Sequence, residues 1–227
     1  MVSLITEGSA NDDRGRPFKR RRVWPVVAVF AVLAVLGSTL WIRILTADAA
    51  LSETVACNRP QASSDPAAPA PLPLGTVVDR TTLLDVEPAA LSATRVRVFN
   101  ANGEHGQAAQ VAAQLKDYGF ASAPDVQVGN DPVYVDQNMQ CQGQIRFGEN
   151  GTAAASAVWL VAPCAELIRD GRTDDTVDLA LGTYTPASLS PSTDAAEILR
   201  ALAEQPANAQ AAPMDIGLLK AARTARC

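Results

Sequence analysis

The sequence predicts an α/β (α+β) fold, a small sheet with helices packed on it, preceded by one N-terminal transmembrane helix. Three observations predict this class. The segments 95–99 and 144–147 alternate polar and apolar residues, a pattern typical of half-buried strands. The Ala-rich segment 106–118 repeats apolar residues every three or four positions, as an amphipathic helix does. The run from Val23 to Ile42 has no charged side chain.

The uncharged run is long enough to cross a bilayer. Hydrocarbon about 30 Å thick needs about 20 helical residues, each rising about 1.5 Å. Trp24 and Trp41 lie near the ends of the run, where aromatic rings prefer the headgroup region. The alternative is a secretory signal cleaved at Ala47-Asp48-Ala49, but the apolar region of a signal is usually only about 7–15 residues. The length therefore favours an uncleaved anchor.

The distribution of charge predicts which side of the membrane each part occupies. Residues 1–22 carry a net charge of +3 and residues 46–227 a net charge of −9, although the whole chain is at −5. Excess Lys and Arg stay on the cytoplasmic side. We therefore expect a single-pass protein of the cell membrane with its N-terminus inside. Its predicted parts are a cytoplasmic tail (1–22), a transmembrane helix (23–45), a Pro/Ala-rich tether (46–75) and an extracytoplasmic domain (76–227).

The cysteines all follow the apolar run, at Cys57, Cys141, Cys164 and Cys227. An even number on the oxidising side predicts two disulfides. Metal binding is not expected, because the chain has no Cys-x-x-Cys and a single histidine. If a helix of about thirteen residues runs back over the strand at 144–147, its end returns to the start of that strand. This geometry predicts the pair Cys141–Cys164, and Cys57–Cys227 then follows by elimination.

The remaining elements follow from local patterns. Asn150-Gly151 permits a hairpin turn, whereas the Ala-rich stretch after it favours a helix from Thr152 at least as strongly. The segment 131–142 is ambiguous between strand and loop. The other predicted elements are a short strand at 126–128, a strand at 175–181 that ends at Gly182, an amphipathic helix capped by Thr193, and a short helix within 214–226.

Residues 95–120 read RVRVFNANGEHGQAAQVAAQLKDYGF, an apolar strand, an Asn-x-x-Gly-x-x-Gly turn, an Ala-rich helix and Gly-Phe at the helix end. This arrangement resembles the LytR C-terminal domain family. The strand at 145–147, the Ala-rich helix after it and the strand at 177–182 extend the resemblance over residues 93–185. Gln107 departs from the family, which has an apolar residue there. The matching positions are Val96, Val98, Asn100, Gly103, Gly106, Ala108, Ala109, Ala112, Leu115, Gly119 and Phe120.

The resemblance does not carry an enzymatic activity with it. Members of the family often have a LytR-CpsA-Psr phosphotransferase domain before this one. Here a proline-rich tether and about twenty residues precede Arg95, so the ligation chemistry of that enzyme is not expected. His105, the one imidazole, has no Gly-x-Ser-x-Gly partner, and we predict no catalytic residue, no cofactor and no metal.

The turn between the first strand and its helix is the candidate binding site. Backbone N–H groups of such a turn can bind an anion. Glu104 opposes an anion, no Gly-Lys-Ser/Thr follows, and a tight turn alone also explains the glycines. Tyr134, in the ambiguous segment, is a further candidate contact. The candidate ligand- or partner-binding residues are Asn100, Asn102, Gly103, His105, Gly106 and Tyr134.

Charge and resemblance together define the expected function. A domain with a net charge of −9 lacks the basic face that nucleic acid requires, so nucleic acid is excluded as a partner. We expect a non-enzymatic, membrane-anchored protein that supports cell envelope integrity by binding envelope components or envelope-assembly proteins, with membrane lipid contacted through the anchor. The alternative is a domain with a hydrophobic pocket that binds or shuttles a lipid or lipid-linked glycan.

Overall fold

A long apolar helix is the first element of the structure. The computed structural model describes residues 23–47, 56–207 and 214–224. Helix α1 (Trp24–Ala47) is, within those residues, the one helix long and apolar enough to cross a membrane, with a mean hydropathy of 2.3 over Trp24–Ile42. The chain divides into two compact units, Met1–Ala50 and Leu51–Cys227. The predicted cytoplasmic tail lies outside the described residues.

The second unit is built on a seven-stranded mixed sheet, which confirms the predicted fold class. Its order is β1-β6-β5-β7-β2-β3, and β4 also pairs with β2. Strand β2 is parallel to β3, β4 and β7, β5 is parallel to β6, and β5–β7 and β1–β6 are antiparallel. The strands are β1 (Thr76–Val77), β2 (Arg95–Asn100), β3 (Ala121–Ser122), β4 (Val128–Asn130), β5 (Gly143–Phe147), β6 (Glu166–Arg169) and β7 (Val177–Leu181).

Five α-helices accompany the sheet in the described part of the chain: α2 (Thr81–Leu84), α3 (Gln107–Tyr118), α4 (Thr152–Val158), α5 (Thr193–Ala203) and α6 (Ile216–Arg223). The predicted helices at 106–118 and after Thr152 are confirmed, and the hairpin alternative at Asn150-Gly151 is wrong. Gly119 ends α3 with a φ of +103°, a left-handed conformation that favours glycine. The N-cap of α5 is Ser192, whose hydroxyl accepts a hydrogen bond from the Ala195 N–H. The predicted cap at Thr193 is therefore wrong by one residue.

The main core lies between the helices and one face of the sheet. Successive side chains of a strand point to opposite faces of the sheet, and Val98, Ile145 and Leu179 lie on this face. All three are buried. Helix α4 can approach closely because its inner residues are small: residues 154–158 are all buried. Helices α5 and α6 add Ile198, Leu199, Leu202, Leu219 and Ala222 to the same core.

The other face of the sheet carries a network of charged side chains. Arg97 and Asp178 face each other across β2 and β7, and the guanidinium donates two hydrogen bonds to the carboxylate. Arg172 also donates to Asp178 and to Asp170. On β5, the buried Arg146 donates to the buried Asp131 at 2.8 Å. Each charge of this network has an oppositely charged partner, as burial requires.

The observed disulfide joins Cys57 to Cys141, so the predicted pairs Cys57–Cys227 and Cys141–Cys164 are wrong. The prediction needed a helix of about thirteen residues after β5, whereas α4 has seven. It also treated the tether as free of the domain. The tether instead runs back along the charged face to Cys141. Cys164 is also disulfide-bonded, and Cys227 lies outside the described residues.

The tether segment 56–75 is fixed to the domain at both of its ends. At one end the Asn58 amide donates to the Asn138 carbonyl at 3.2 Å and its side-chain oxygen accepts from Gln140 N–H at 2.7 Å. At the other end Leu72 N–H donates to the Pro132 carbonyl at 2.9 Å. Cys57 and Leu74 pack against a second apolar cluster that includes Phe99 and Met139. The segment is therefore part of the folded unit.

Candidate functional site

The two asparagine side chains of the turn proposed from the sequence are hydrogen-bonded within the protein itself. Asn100 Oδ1 accepts from the N–H groups of Asn102 and Gly103, and its amide donates to the Glu104 carbonyl at 2.8 Å. Asn102 donates to the Gly182 carbonyl at 2.7 Å and accepts from Glu104 N–H. Gly103 and Gly106 have φ of +80° and +82°, which explains glycine at both positions. The arrangement is that of a self-contained turn.

The other two sequence-predicted contact residues differ in exposure. His105 is exposed in the same turn. Tyr134 is 1% exposed, and its hydroxyl donates to the Asn58 carbonyl and accepts from the Gln144 amide at 3.3 Å. Burial is the main cause of the raised pKa of this phenol, outweighing the lowering effect of Arg146. Tyr134 thus fastens the tether to β5 and presents no surface to a partner.

A cavity of about 550 Å³ lies beside this turn, on the helix-covered face of the sheet. Five separate segments line it: the start of β5, the connection from α4 to β6, the end of β7, the loop 185–192 and the end of α6. The lining residues are Gln142, Gly143, Val161, Ala162, Pro163, Cys164, Ala165, Leu179, Leu181, Thr185, Pro186, Ala187, Ser188, Leu189, Ser190, Ser192, Ala222 and Thr224. The volume is in the range of small-molecule sites, which is about 300–1,000 Å³.

One apolar wall of the cavity comes from strand β7 and another from the connection between α4 and β6. Leu179 and Leu181 are on the helix-facing side of β7 and are 1% exposed. Opposite them, the chain leaving α4 supplies Val161, Ala162 and Ala165. Small residues dominate this wall, and space remains where longer side chains would have closed the core.

The loop 185–192 forms the polar rim of the cavity. The Thr185 hydroxyl donates to the Gln142 carbonyl and so ties the loop to the start of β5. The Gln107 amide donates to the Thr185 carbonyl at 3.3 Å, and the same side chain accepts from the Asn102 amide at 2.8 Å. Gln107, which departs from the family pattern, is half-buried and links the turn to the rim. The turn therefore supports the cavity but does not line it.

Helix α6 closes one side of the cavity and is held in place by a buried arginine. The Arg223 guanidinium, 2% exposed, donates to the carbonyls of Leu83, Leu84 and Val86 and to the Ser156 hydroxyl. It also lies on the Trp159 ring, 5.2 Å from the centroid. Burial lowers the pKa of Arg223 to about 10. These contacts fix Ala222 and Thr224 at the cavity wall.

The charged face on the other side of the sheet was also not proposed from the sequence. Burial would lower the pKa of Arg172, but its hydrogen bonds to Asp178 and Asp170 raise it above the ordinary value. Within the described residues, no group of three or more His, Cys, Asp or Glu side chains could hold a metal ion. The opposite charges at the polar positions of β2 and β7 were the available sequence signal. The cavity had no such sequence signal, because its walls come from five segments that are distant in sequence.

Comparison with known proteins agrees with this architecture. The profile of the family described as "LytR cell envelope-related transcriptional attenuator" matches residues 93–184. The fold and the match define these residues as a LytR C-terminal domain, as the sequence resemblance indicated.

The chain is 50% identical over 183 residues to the cell envelope integrity protein Cei of Mycobacterium tuberculosis (strain ATCC 25618 / H37Rv), a match that covers 81% of this chain and 82% of that protein. The chain belongs to the Cei family. A crystal structure of the soluble domain of a conserved hypothetical secreted protein from Mycobacterium marinum is 48% identical, with a TM-score of 0.59. That match covers 68% of this chain and 99% of the other.

Proposed function

We propose that this protein supports cell envelope integrity as a membrane-anchored, extracytoplasmic binding protein, and that its cavity holds the aliphatic chain of an envelope lipid. The observation that carries the proposal is the cavity of about 550 Å³ with walls of Val, Leu, Ala and Pro. Transfer of apolar surface from water contributes about 25 cal/mol per Å². A lipid chain that lies against such walls is therefore stabilised without any charged contact.

The envelope context supports this ligand class. The relative from Mycobacterium tuberculosis is named for cell envelope integrity, and the relative from Mycobacterium marinum is described as secreted. The charge difference between residues 1–22 and 46–227 favours an N-terminus inside and the binding unit outside. A disulfide between Cys57 and Cys141 suits the oxidising side of the membrane. Alkaline phosphatase fused to the C-terminus is expected to be active, and inactivity would overturn this topology.

The proposal assigns no catalytic step to the protein. The asparagine side chains of the turn are used in internal hydrogen bonds, and the carboxylates of the charged face are paired with arginines. The cavity lining offers hydroxyl, amide and apolar groups, which bind and do not activate water or substrate. Binding of a lipid component is the function that this arrangement supports best.

A fluorescent apolar probe tests the cavity directly. Residues 51–227 form a separate unit, and the corresponding soluble domain of the Mycobacterium marinum relative has been crystallised, so this unit can be used with its disulfides formed. N-phenyl-1-naphthylamine is expected to bind saturably to one site. Ala162→Phe fills part of the cavity and is expected to weaken binding at least tenfold.

The matched control for this experiment is Ala109→Phe, which makes the same change at an exposed position of α3 outside the cavity. The control is expected to bind the probe as the unaltered protein does. Equal binding by the Ala162→Phe protein, or no saturable binding by the unaltered protein, would overturn the assignment of the cavity. Mass spectrometry of lipids that co-purify with the full chain then identifies the natural occupant.

A further inference from the structure

We infer that the polar end of the lipid is uncharged and rich in hydroxyl groups, as in a neutral glycolipid, and is not a phosphate. The inference rests on the proposed function, because it names the ligand class of the same cavity. It follows from two properties of the lining: the absence of charge, and the presence of hydroxyl and amide groups at the rim.

The cavity lining contains no Asp, Glu, Lys or Arg among the described residues, although such residues make up 19% of the chain. A phosphate buried without a cation pays a large desolvation penalty. The described cations near the lining are already engaged, and among them Arg80 donates to the Pro163 carbonyl at 2.7 Å. Arg223 donates to carbonyls of α2 and to Ser156, and Lys220 lies 3.0 Å from Asp85. None of these residues belongs to the lining, so the described part of the cavity offers an anionic headgroup no charged partner.

The rim offers neutral donors and acceptors instead. Thr185 and Ser192 use their hydroxyl groups within the protein, on the Gln142 carbonyl and the Ala195 N–H respectively. The side chains of Ser188, Ser190 and Gln142 have no hydrogen-bond partner within residues 23–47, 56–207 and 214–224. Hydroxyl and amide groups each donate and accept, which matches the hydroxyl groups of a sugar.

The two regions of the cavity thus define an amphiphile. Its aliphatic chain lies against Leu179, Leu181 and Val161, and its headgroup lies at the loop 185–192. Ser188 and Ser190 are exposed, so the headgroup meets the solvent at that loop. A bulky hydrophilic headgroup can extend outward from this position while its first sugar contacts the rim.

Three surfactants with the same twelve-carbon chain test the inference: n-dodecyl-β-D-maltoside, dodecyl phosphate and dodecyltrimethylammonium, each below its micellar concentration. Competition titrations measure how strongly each surfactant displaces N-phenyl-1-naphthylamine from residues 51–227. The maltoside is expected to bind at least tenfold more tightly than the phosphate. Equal affinity, or tighter binding of the phosphate, would overturn the inference and leave the proposed cavity function intact. Failure of all three surfactants and of the probe would instead refute the cavity function itself.

A rim variant supplies a second measurement. Ser188→Ala/Ser190→Ala is expected to weaken maltoside binding three- to tenfold and to leave dodecyl phosphate and N-phenyl-1-naphthylamine unchanged. Ser122→Ala, on the exposed strand β3, is the control and is expected to change none of them. An unaltered maltoside affinity in the double variant contradicts the rim assignment. The preference between surfactants is measured on the unaltered protein, so it does not depend on folding of a variant.

Discussion

The Asn102 amide donates to the main-chain carbonyl of Gly182 at 2.7 Å and so joins the turn after β2 to the loop after β7. The two residues are 80 positions apart in sequence. Because β2 and β7 are parallel neighbours, their carboxyl ends lie at the same edge of the sheet. The contact therefore connects the Asn-x-x-Gly-x-x-Gly turn to the loop that forms the rim of the cavity, through a side chain that sequence analysis assigned to ligand binding.

Replacement of Asn102 by Ala is expected to destabilise the fold. It removes the donors to Gly182 and Gln107 and the acceptor for Glu104 N–H, and unsatisfied groups of this kind cost about 1–3 kcal/mol. Urea unfolding of residues 51–227 measures the change. His105→Ala, in the same turn but exposed, is the control and is expected to leave both stability and probe binding unchanged. A stable Asn102→Ala protein with weaker probe binding would instead indicate a direct role in binding.

Loss of the Cys57–Cys141 disulfide is expected to loosen the tether and destabilise the unit. The bond closes a separation of 84 residues, and removal of a native disulfide typically costs about 2–5 kcal/mol. The variant Cys57→Ser/Cys141→Ser is compared with the unaltered protein by urea unfolding. Hydrogen exchange at Leu72, whose N–H donates to Pro132, reports the tether itself. Unchanged exchange at Leu72 would show that the tether is held without the disulfide.

Gly148 and Gly171 provide a matched pair of substitutions. A Cβ at position 148 would lie 2.1 Å from the Arg172 carbonyl oxygen, whereas a Cβ at position 171 would meet no atom within 4 Å. Gly148→Ala is therefore expected to lower stability by about 1–3 kcal/mol, as overpacking does. Gly171→Ala is expected to have nearly the same stability as the unaltered protein. Thermal unfolding distinguishes them, and equal melting temperatures would mean that the backbone at 172 moves freely.

The local elements were predictable because their signals lie within a few consecutive residues. The alternation at 95–99 and 144–147, the period of the helix at 106–118 and the glycine at its end correspond to β2, β5 and α3. Strands β1, β3 and β6 were missed. Each is at most four residues long, and neighbouring strands define it more than its own pattern does.

The long-range features were not predictable from spacing. The disulfide was misassigned because the prediction extended α4 to about thirteen residues and gave the tether no contacts. The turn was identified correctly as a special conformation, yet its asparagines serve the protein and not a ligand. The cavity depends on how far five segments stand apart, a distance that small side chains such as Ala162 and Ala222 leave open. No periodic pattern records such a distance.

The charged face is expected to make the stability of the fold depend on pH in the acidic range. Burial would raise the pKa of Asp170, but hydrogen bonds from the Arg172 side chain and N–H outweigh it and hold the pKa below its ordinary value of 3.8. Between the ordinary value and the lowered one, the unfolded state binds more protons than the folded state. The contribution of Asp170 to stability is therefore present above about pH 4 and is lost as the pH falls through the lowered pKa.

Asp170→Asn tests this linkage. The variant is expected to be less stable than the unaltered protein at pH 6, because Arg172 loses a charged partner, and to lose less stability between pH 4 and pH 2.5. Urea unfolding at several pH values gives both quantities. Asp65→Asn, at an exposed position of the tether away from any arginine of the network, is the control and should follow the pH dependence of the unaltered protein. If Asp170→Asn retained the full acid sensitivity, the charged face would not be coupled to folding through this carboxylate.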